Sequence, residues 1–230
     1  RNCIKPESGS DWEVSVWRMA VLYLVVAVSV AVIAAVCRLL WLLSKVGAKS
    51  EKRRSGEKLN TLVVLGSGGH TSEMMTLLSH MDSKNYSPIT YMVADTDRHS
   101  VTKVKLLRDD AKTSRFVTIP RSREVHMSWG LTVLMTIKAL VACIAKIPTL
   151  APDLILVNGP GTCIPVVLAA WFWKFFGLVQ CRIVFVESFC RVKSLSMSGK
   201  IAYFLSDTFI VQWPMLLERY PKAKYVGKLC

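Results

Sequence analysis

The segment Thr61-Leu-Val-Val-Leu-Gly-Ser-Gly-Gly-His-Thr-Ser-Glu73 decides the fold of this chain. Its apolar run over 62–65 is typical of a buried strand. A glycine turn containing His70 follows, and Thr71 and Ser72 then offer hydroxyls suited to capping a helix whose first turn holds Glu73. The pattern therefore predicts a strand, a glycine turn and a helix N-terminus in direct succession.

The free N–H groups of such a helix N-terminus favour anions, and phosphate groups above all. His70 stands within this predicted site, and the helix dipole is expected to favour its neutral form, suited to act as a base or to donate a hydrogen bond. An alternative role for His70 stays open, in which its polar side chain only forms hydrogen bonds with the local backbone. The predicted phosphate-binding residues of this turn are Gly66, Ser67, Gly68, Gly69 and Thr71.

Apolar strand-like runs alternate with helix-like runs through the rest of the chain. Strands are predicted over 62–65, 89–94, 115–119, 154–157, 183–186 and 209–212, and helices over 72–81, 99–108, 129–147, 162–176, 198–205 and 215–220. This order predicts an α/β fold, a Rossmann-like parallel sheet with helices on both faces. Ligands bind such sheets at the carboxyl ends of the strands, so the loops that follow the strands are the candidate site.

A second glycine turn follows the fourth predicted strand and opens a helix. Two such turns facing one crevice are more specific for a phosphate ligand than one, which adds Asn158, Gly159, Gly161 and Thr162 to the predicted site.

Charged residues follow two other strands. Arg121 and Arg123 are suited to pairing with a diphosphate, or alternatively to an ion pair with Glu124. Glu187, after the fifth strand, is a candidate base or a loop-capping acid.

A dinucleotide-binding site is the weaker interpretation of the first turn. The G-x-G-x-x-G fingerprint is matched at Gly66 and Gly68 but fails at Thr71. Asp95 ends the second predicted strand, where a ribose-binding acid would lie. A polar loop and helix cap over 95–97 is the preferred interpretation, and a membrane-anchored nicotinamide-dependent dehydrogenase remains a remote alternative.

The composition of the 230 residues indicates a membrane protein with an anionic partner. The chain is 52% hydrophobic and carries a formal net charge of +14. An anionic membrane surface or a phosphorylated substrate fits this charge, and the chain has no signature of a nucleic-acid-binding module. The seven cysteines are scattered without a C-x-x-C pair, so neither a metal site nor a disulfide framework is predicted.

The amino-terminal part predicts one membrane anchor. The apolar stretch over 19–43 is long enough to span a bilayer, with a short tail over 1–18 before it and a basic linker over 44–60 after it. A cleaved signal peptide is disfavoured because the run is too long and no cleavage site follows. The excess of Lys and Arg in the linker places the domain over 61–230 in the cytosol and the tail in the lumen.

Seven motifs along the chain resemble those of one known family. They occur in the order found in the family of asparagine-linked glycosylation protein fourteen, the membrane-bound subunit of the two-part UDP-N-acetylglucosamine transferase of dolichol-linked oligosaccharide assembly. More distantly, the two glycine turns and Glu187 resemble loops in the amino-terminal half of the bacterial N-acetylglucosamine transferase of peptidoglycan lipid precursors, a GT-B enzyme. The motifs are LVVLGSGGHTSEM, YMVADTD, IPRSREV, LILVNGPGTCIPV, VFVESFCRV, LSMSGKI and FIVQWP.

The resemblance implies half of a GT-B glycosyltransferase that is inactive alone. The glycine turns would hold the diphosphate of GlcNAc-diphosphate-dolichol, and His70 or Glu187 would deprotonate the 4-hydroxyl of its sugar. A separate catalytic subunit, asparagine-linked glycosylation protein thirteen, would supply the UDP-GlcNAc site and be recruited to the endoplasmic reticulum, so this chain would need no cofactor. The carboxyl-terminal tail would dock that partner through Tyr225, Val226 and Leu229. The competing hypothesis is a pure membrane scaffold without substrate contact.

Overall fold

The structure is a computed structural model that describes residues 10–45, 58–82, 84–108, 114–122, 127–159 and 161–229, with side chains from residue 14 onward. The chain forms two compact units, Arg1–Leu42 and Leu43–Cys230.

The first unit is built on one long apolar helix, α1, over Ser10–Lys45. Between Val14 and Lys45 its side chains are almost all exposed, including large apolar ones such as Trp17 and Leu22. About 20 apolar residues suffice to cross the hydrocarbon core of a bilayer, so α1 is a candidate membrane span. The helix begins before and ends after the predicted segment over 19–43. Most of the predicted linker over 44–60 lies outside the described residues.

The second unit is a seven-stranded, all-parallel sheet with the order β3-β2-β1-β4-β5-β6-β7. The central strands are buried throughout, as their apolar sequences predict. The six predicted strands are confirmed within one residue at each end, and the two-residue β7 is too short for a sequence pattern to show. The strands are β1 Thr61–Val64, β2 Ile89–Ala94, β3 Arg115–Ile119, β4 Leu154–Asn158, β5 Arg182–Val186, β6 Thr208–Val211 and β7 Lys224–Tyr225.

Helices cover the sheet in two groups. They are α2 Gly69–Ser79, α3 Arg98–Leu107, α4 Trp129–Leu150, α5 Cys163–Phe176, α6 Met197–Leu205 and α7 Leu216–Arg219. Helix α2 packs on α3, and α5 packs on both α4 and α6. Right-handed crossovers in this strand order place the two groups on opposite faces, as predicted.

Helix α2 begins at Gly69, earlier than the predicted residue 72. Gly68 adopts a φ of 62°, which lets the chain turn from strand into helix without a capping side chain. Thr71 therefore lies inside the first turn, where its hydroxyl donates to the carbonyl of Gly66 instead of capping the helix. Glu73 consequently lies beyond the first turn.

Helix α4 continues past Pro148 to Leu150, whereas the sequence predicted its end at residue 147. A proline inside a helix leaves the carbonyl four residues earlier without its N–H donor. That carbonyl belongs to Ile144, and it accepts a hydrogen bond of 2.7 Å from the indole N–H of Trp173 on α5. The contact between the helices thus replaces the missing backbone bond.

Candidate functional site

The carboxyl ends of β1, β4 and β5 bring the candidate residues together. The turn after β1 leads into α2 with His70, β4 ends at Asn158, and Glu187 and Ser188 follow β5. These three strands are neighbours in the sheet, so their ends form one crevice.

His70 is fixed by a hydrogen bond at one ring nitrogen. Its Nδ1 lies 3.1 Å from Oδ1 of Asn158, whose Nδ2 donates to Oε2 of Glu73 over 3.0 Å. The carboxylate settles the orientation of the amide, because only the NH₂ group can donate to it. Oδ1 then faces His70 as an acceptor, so Nδ1 carries the proton of the neutral ring. Nε2 makes no hydrogen bond within the described part of the chain, and the side chain is 33% exposed.

The pKa of His70 is shifted in the direction opposite to the one expected from the helix dipole. The pKa of His70 is raised above its usual value of 6.5, chiefly by the Glu73 carboxylate and against the effect of burial. The Oε2 atom of Glu73 lies 3.8 Å from Nδ1, at ion-pair distance. Burial tends to raise the pKa of Glu73, but the neighbouring His70 ring and hydrogen bonds from Ser188 and Asn158 outweigh it and hold that pKa below its usual value.

The first glycine turn divides into an inner and an outer part. Gly66 and Thr71 are buried, and the carbonyl of Gly66 also accepts a hydrogen bond from Ser100 over 3.0 Å. Gly66 and Thr71 therefore hold the turn together through hydrogen bonds inside the protein and are not accessible to a ligand. The outer part is exposed, consists of Ser67, Gly68 and Gly69, and leaves open space around both glycines. Only this outer part presents the predicted anion site to a ligand.

The second glycine turn packs against the ring of His70. Gly159 has a φ of 60°, and a Cβ atom at this position would lie 2.6 Å from Cε1 and 2.8 Å from Nδ1 of His70. Gly161 is exposed, with open space beside it, and Thr162 is half-buried ahead of α5. The structure thus brings Gly159 and Asn158 directly to His70.

The arginine candidates lie farther along the same edge of the sheet. Arg121 follows β3, two strands from β1, and its Nη1 donates to the hydroxyl of Thr96 over 3.2 Å. Arg123 and Glu124, and with them the alternative ion pair, lie outside the described residues. The preferred interpretation of residues 95–97 is confirmed, because Asp97 caps α3 by accepting from the N–H of Ser100.

Glu187 is fully buried and bonded into the protein. Its carboxylate accepts the N–H of Ser188 and the N–H of Ser196, both over 2.9 Å, and the hydroxyl of Ser196 over 3.0 Å. The carboxylate thereby binds at the N-terminus of α6, where the lack of a side chain at Gly199 leaves room for it. Burial raises the pKa of Glu187 above its usual value, against these hydrogen bonds. The geometry favours a structural role for Glu187 over the predicted role of base.

We expect Glu187→Ala to destabilise the protein by at least about 2 kcal/mol, because it leaves the buried N–H groups of Ser188 and Ser196 unpaired at about 1–3 kcal/mol each. Denaturant unfolding of the purified full chain measures this loss. Glu187→Gln, which keeps an acceptor oxygen, should lose less. Unchanged stability combined with lost activity would instead identify Glu187 as a catalytic base.

No cluster of three or more His, Cys, Asp or Glu side chains suited to a metal ion occurs in the described part of the chain.

The predicted docking residues of the tail differ in their surroundings. Tyr225 lies in the edge strand β7, and Val226 after it is 59% exposed. Leu229 donates its N–H to Oε1 of the buried Gln212 over 2.9 Å, and its side chain packs against the core. Tyr225 and Val226 are therefore accessible to a partner, whereas Leu229 holds the tail on the domain.

Comparison with known sequences decides the family. The family model described as "Oligosaccharide biosynthesis protein Alg14 like" matches residues 61–229, which is most of the chain. The chain belongs to the Alg14 family. It is 48% identical over 182 residues to the human UDP-N-acetylglucosamine transferase subunit ALG14, covering 75% of this chain and 84% of that protein. It is 41% identical over 207 residues to the subunit of the same name from Schizosaccharomyces pombe, covering 88% and 97% respectively.

Solved structures confirm the fold of this Alg14 family member. MurG from Acinetobacter baumannii, a GT-B glycosyltransferase, matches with a TM-score of 0.50 and 12% identity over 67% of this chain and 41% of that chain. A UDP-N-acetylglucosamine 2-epimerase matches with a TM-score of 0.53 and 18% identity, over 72% and 43% respectively. At these identities the likeness concerns the fold alone, a Rossmann-like half of a GT-B architecture. The family resemblance and the fold class predicted from sequence are both confirmed.

Proposed function

We propose that this chain is the membrane-anchored, acceptor-binding subunit of a UDP-N-acetylglucosamine transferase that adds the second GlcNAc to GlcNAc-diphosphate-dolichol. One observation carries the proposal. Nε2 of His70 makes no hydrogen bond to the described residues and lies beside two glycine turns, in a domain that has the fold of a GT-B half. The names of the Alg14 relatives, which are transferase subunits, support the same reaction class.

The site suits the activation of a sugar hydroxyl next to a diphosphate. The exposed N–H groups at the start of α2 would hold the diphosphate, with Arg121 and the second turn as further contacts. Nε2 of His70 would accept the proton of the 4-hydroxyl as its oxygen bonds to the anomeric carbon of the donor and UDP leaves. A positioned base of this kind contributes about 10²- to 10⁴-fold to the rate.

A layer of exposed apolar side chains supports the proposal that the acceptor is a lipid. Helices α4, α5 and α6 share one side of the sheet, and each exposes large apolar side chains. Patches of this kind in a soluble domain mark contact surfaces for membranes or partners. The net charge of +14 adds attraction to an anionic membrane surface. The exposed side chains include Trp129, Leu134, Ile137 and Val141 of α4, Phe172 and Phe176 of α5, and Ile201 and Phe204 of α6.

The donor UDP-GlcNAc would bind mainly to a partner. The relatives are named as subunits of a UDP-N-acetylglucosamine transferase, a name that implies a partner. We propose that asparagine-linked glycosylation protein thirteen supplies the donor site and docks through the accessible tail residues Tyr225 and Val226. Helix α1 would anchor the complex in the endoplasmic reticulum membrane, with the sheet domain in the cytosol. Membership of the Alg14 family favours this reaction over the nicotinamide-dependent dehydrogenase.

Reconstitution tests the division of labour. We expect no sugar transfer from labelled UDP-GlcNAc to a short-chain GlcNAc-diphosphate lipid with either purified full-length subunit alone, and transfer when the two are mixed. Transfer by this chain alone would contradict the proposal that it lacks the donor site.

A further inference from the structure

Two carboxylates lie near His70, and they differ in what they face. Glu187 is fully buried and bonded to Ser188 and Ser196, away from the ring. The side chain of Glu73 is 13% exposed and lies one helical turn from His70 on α2. Residues three apart on a helix are neighbours on one face, so the sequence places Glu73 beside His70.

Glu73 connects all three elements of the crevice. Its Oε1 accepts the hydroxyl of Ser188, after β5, over 2.8 Å. Its Oε2 accepts Nδ2 of Asn158, at the end of β4, over 3.0 Å and lies 3.8 Å from Nδ1 of His70. Both oxygens therefore accept hydrogen bonds from neutral donors on other elements, which holds the carboxylate near Nδ1 of His70, the ring nitrogen bonded to Asn158.

This arrangement determines which nitrogen of His70 is free. Without the Glu73 carboxylate, nothing in this network prevents the Asn158 amide from turning its NH₂ group toward Nδ1. The neutral ring would then carry its proton on Nε2, where it blocks acceptance of a proton from a substrate. With Glu73 present, the proton stays on Nδ1 and the lone pair on Nε2.

We infer that Glu73 is a positioning residue that acts through Asn158 and Ser188 to hold His70 with its Nε2 lone pair directed at the substrate hydroxyl. The inference rests on the proposed function in that His70 is the base. The assignment of Glu73 as the partner carboxylate, in place of the predicted Glu187, stands on the contacts of Glu73 alone.

The same contacts predict a change in the titration of His70. Within the described residues, the ionisable groups that act on the ring are Glu73, on its own helix, and Glu187, after β5, and both favour the protonated imidazolium. Glu73→Gln removes the larger influence. The His70 pKa should therefore fall, so that the ring stays neutral to lower pH, while the wrong tautomer becomes accessible.

The test measures His70 directly in the full-length chain in detergent micelles. Diethyl pyrocarbonate acylates the neutral imidazole ring but not the imidazolium ion, so the rate at which the His70 peptide is modified, followed by mass spectrometry across pH, reports the pKa. We expect Glu73→Gln to shift this titration to lower pH and Glu73→Asp, which keeps the charge, to shift it less. The exposed Glu218→Gln on α7 is the matched control and should leave the titration unchanged.

Turnover of the reconstituted transferase provides the second readout. We expect Glu73→Gln to lower kcat roughly 10- to 100-fold with little change in KM for the acceptor, and Ser188→Ala to lower it less. An unshifted His70 titration in Glu73→Gln would overturn the inference, even if stability or activity fell. A shifted titration without any effect on sugar transfer would uphold the contact but contradict the proposed role of His70 as base.

Discussion

Replacement of His70 by alanine is expected to lower the kcat of the reconstituted transferase by about 10²- to 10⁴-fold, because the acceptor hydroxyl loses its proton acceptor. His70→Gln keeps much of the volume but cannot accept the proton and should lose as much. Both variants should still bind the partner, since His70 contacts Asn158 and Glu73 inside the domain. Initial rates with the short-chain acceptor and a pull-down of the partner measure the two properties.

The proposed role of His70 also predicts the direction in which the turnover of the wild-type enzyme changes with pH. The His70 pKa is raised above 6.5, and only the neutral ring accepts a proton. Turnover should therefore fall as the pH drops through this raised pKa, and this acidic limb should be absent from the residual activity of His70→Ala. Unchanged turnover in His70→Ala would remove His70 from the mechanism.

The second large effect is expected at Gly159. An alanine there would place its methyl group 2.6 Å from Cε1 and 2.8 Å from Nδ1 of His70, closer than carbon contacts allow. The φ of 60° also disfavours a residue with a side chain. We expect the ring to be displaced and kcat to fall by about 10²-fold, the cost typical of misplacing a catalytic group by about 1 Å. Rates of sugar transfer at saturating acceptor measure this loss.

A double variant separates displacement of the ring from general damage. If Gly159→Ala acts through His70, then Gly159→Ala combined with His70→Ala should be no slower than His70→Ala alone. Gly130→Ala, in the first turn of α4 and outside both glycine turns, adds its methyl group to open space and should keep most of the activity. Additive losses in the double variant would indicate that Gly159 acts on something other than the ring.

Much of the fold could be predicted because its determinants are local. The strands β2 and β3 begin and end at the predicted residues, and the alternation with helices predicts the parallel sheet. Helix ends were predicted wrongly where the backbone conformation or tertiary contacts determine them. Gly68 starts α2 early through its positive φ, and Trp173 sustains α4 past Pro148 by bonding to a carbonyl on a different helix.

The sequence predicts where in the fold the candidate site lies, but not which way its residues face. The two glycine turns and His70 do meet in one crevice, as the strand order requires. A sequence pattern does not show that Gly66 and Thr71 face inward while Gly68 and Gly69 face outward. It also does not distinguish Glu187, which closes α6, from Glu73, which contacts the ring. The spacing of His70 and Glu73 on one helix face was the available signal for the second carboxylate.

The central claim is that this chain itself binds the acceptor, and equilibrium binding of a short-chain GlcNAc-diphosphate lipid to the purified full chain without its partner tests it most directly. Gly69→Leu fills the open space at the start of α2, and Gly130→Leu, also in open space in the first turn of α4, is the matched control. We predict binding by the wild type and the control and at least about tenfold weaker binding by Gly69→Leu. Absence of binding by the wild type, with sugar transfer intact in the reconstituted complex, would contradict the account and favour the pure membrane scaffold.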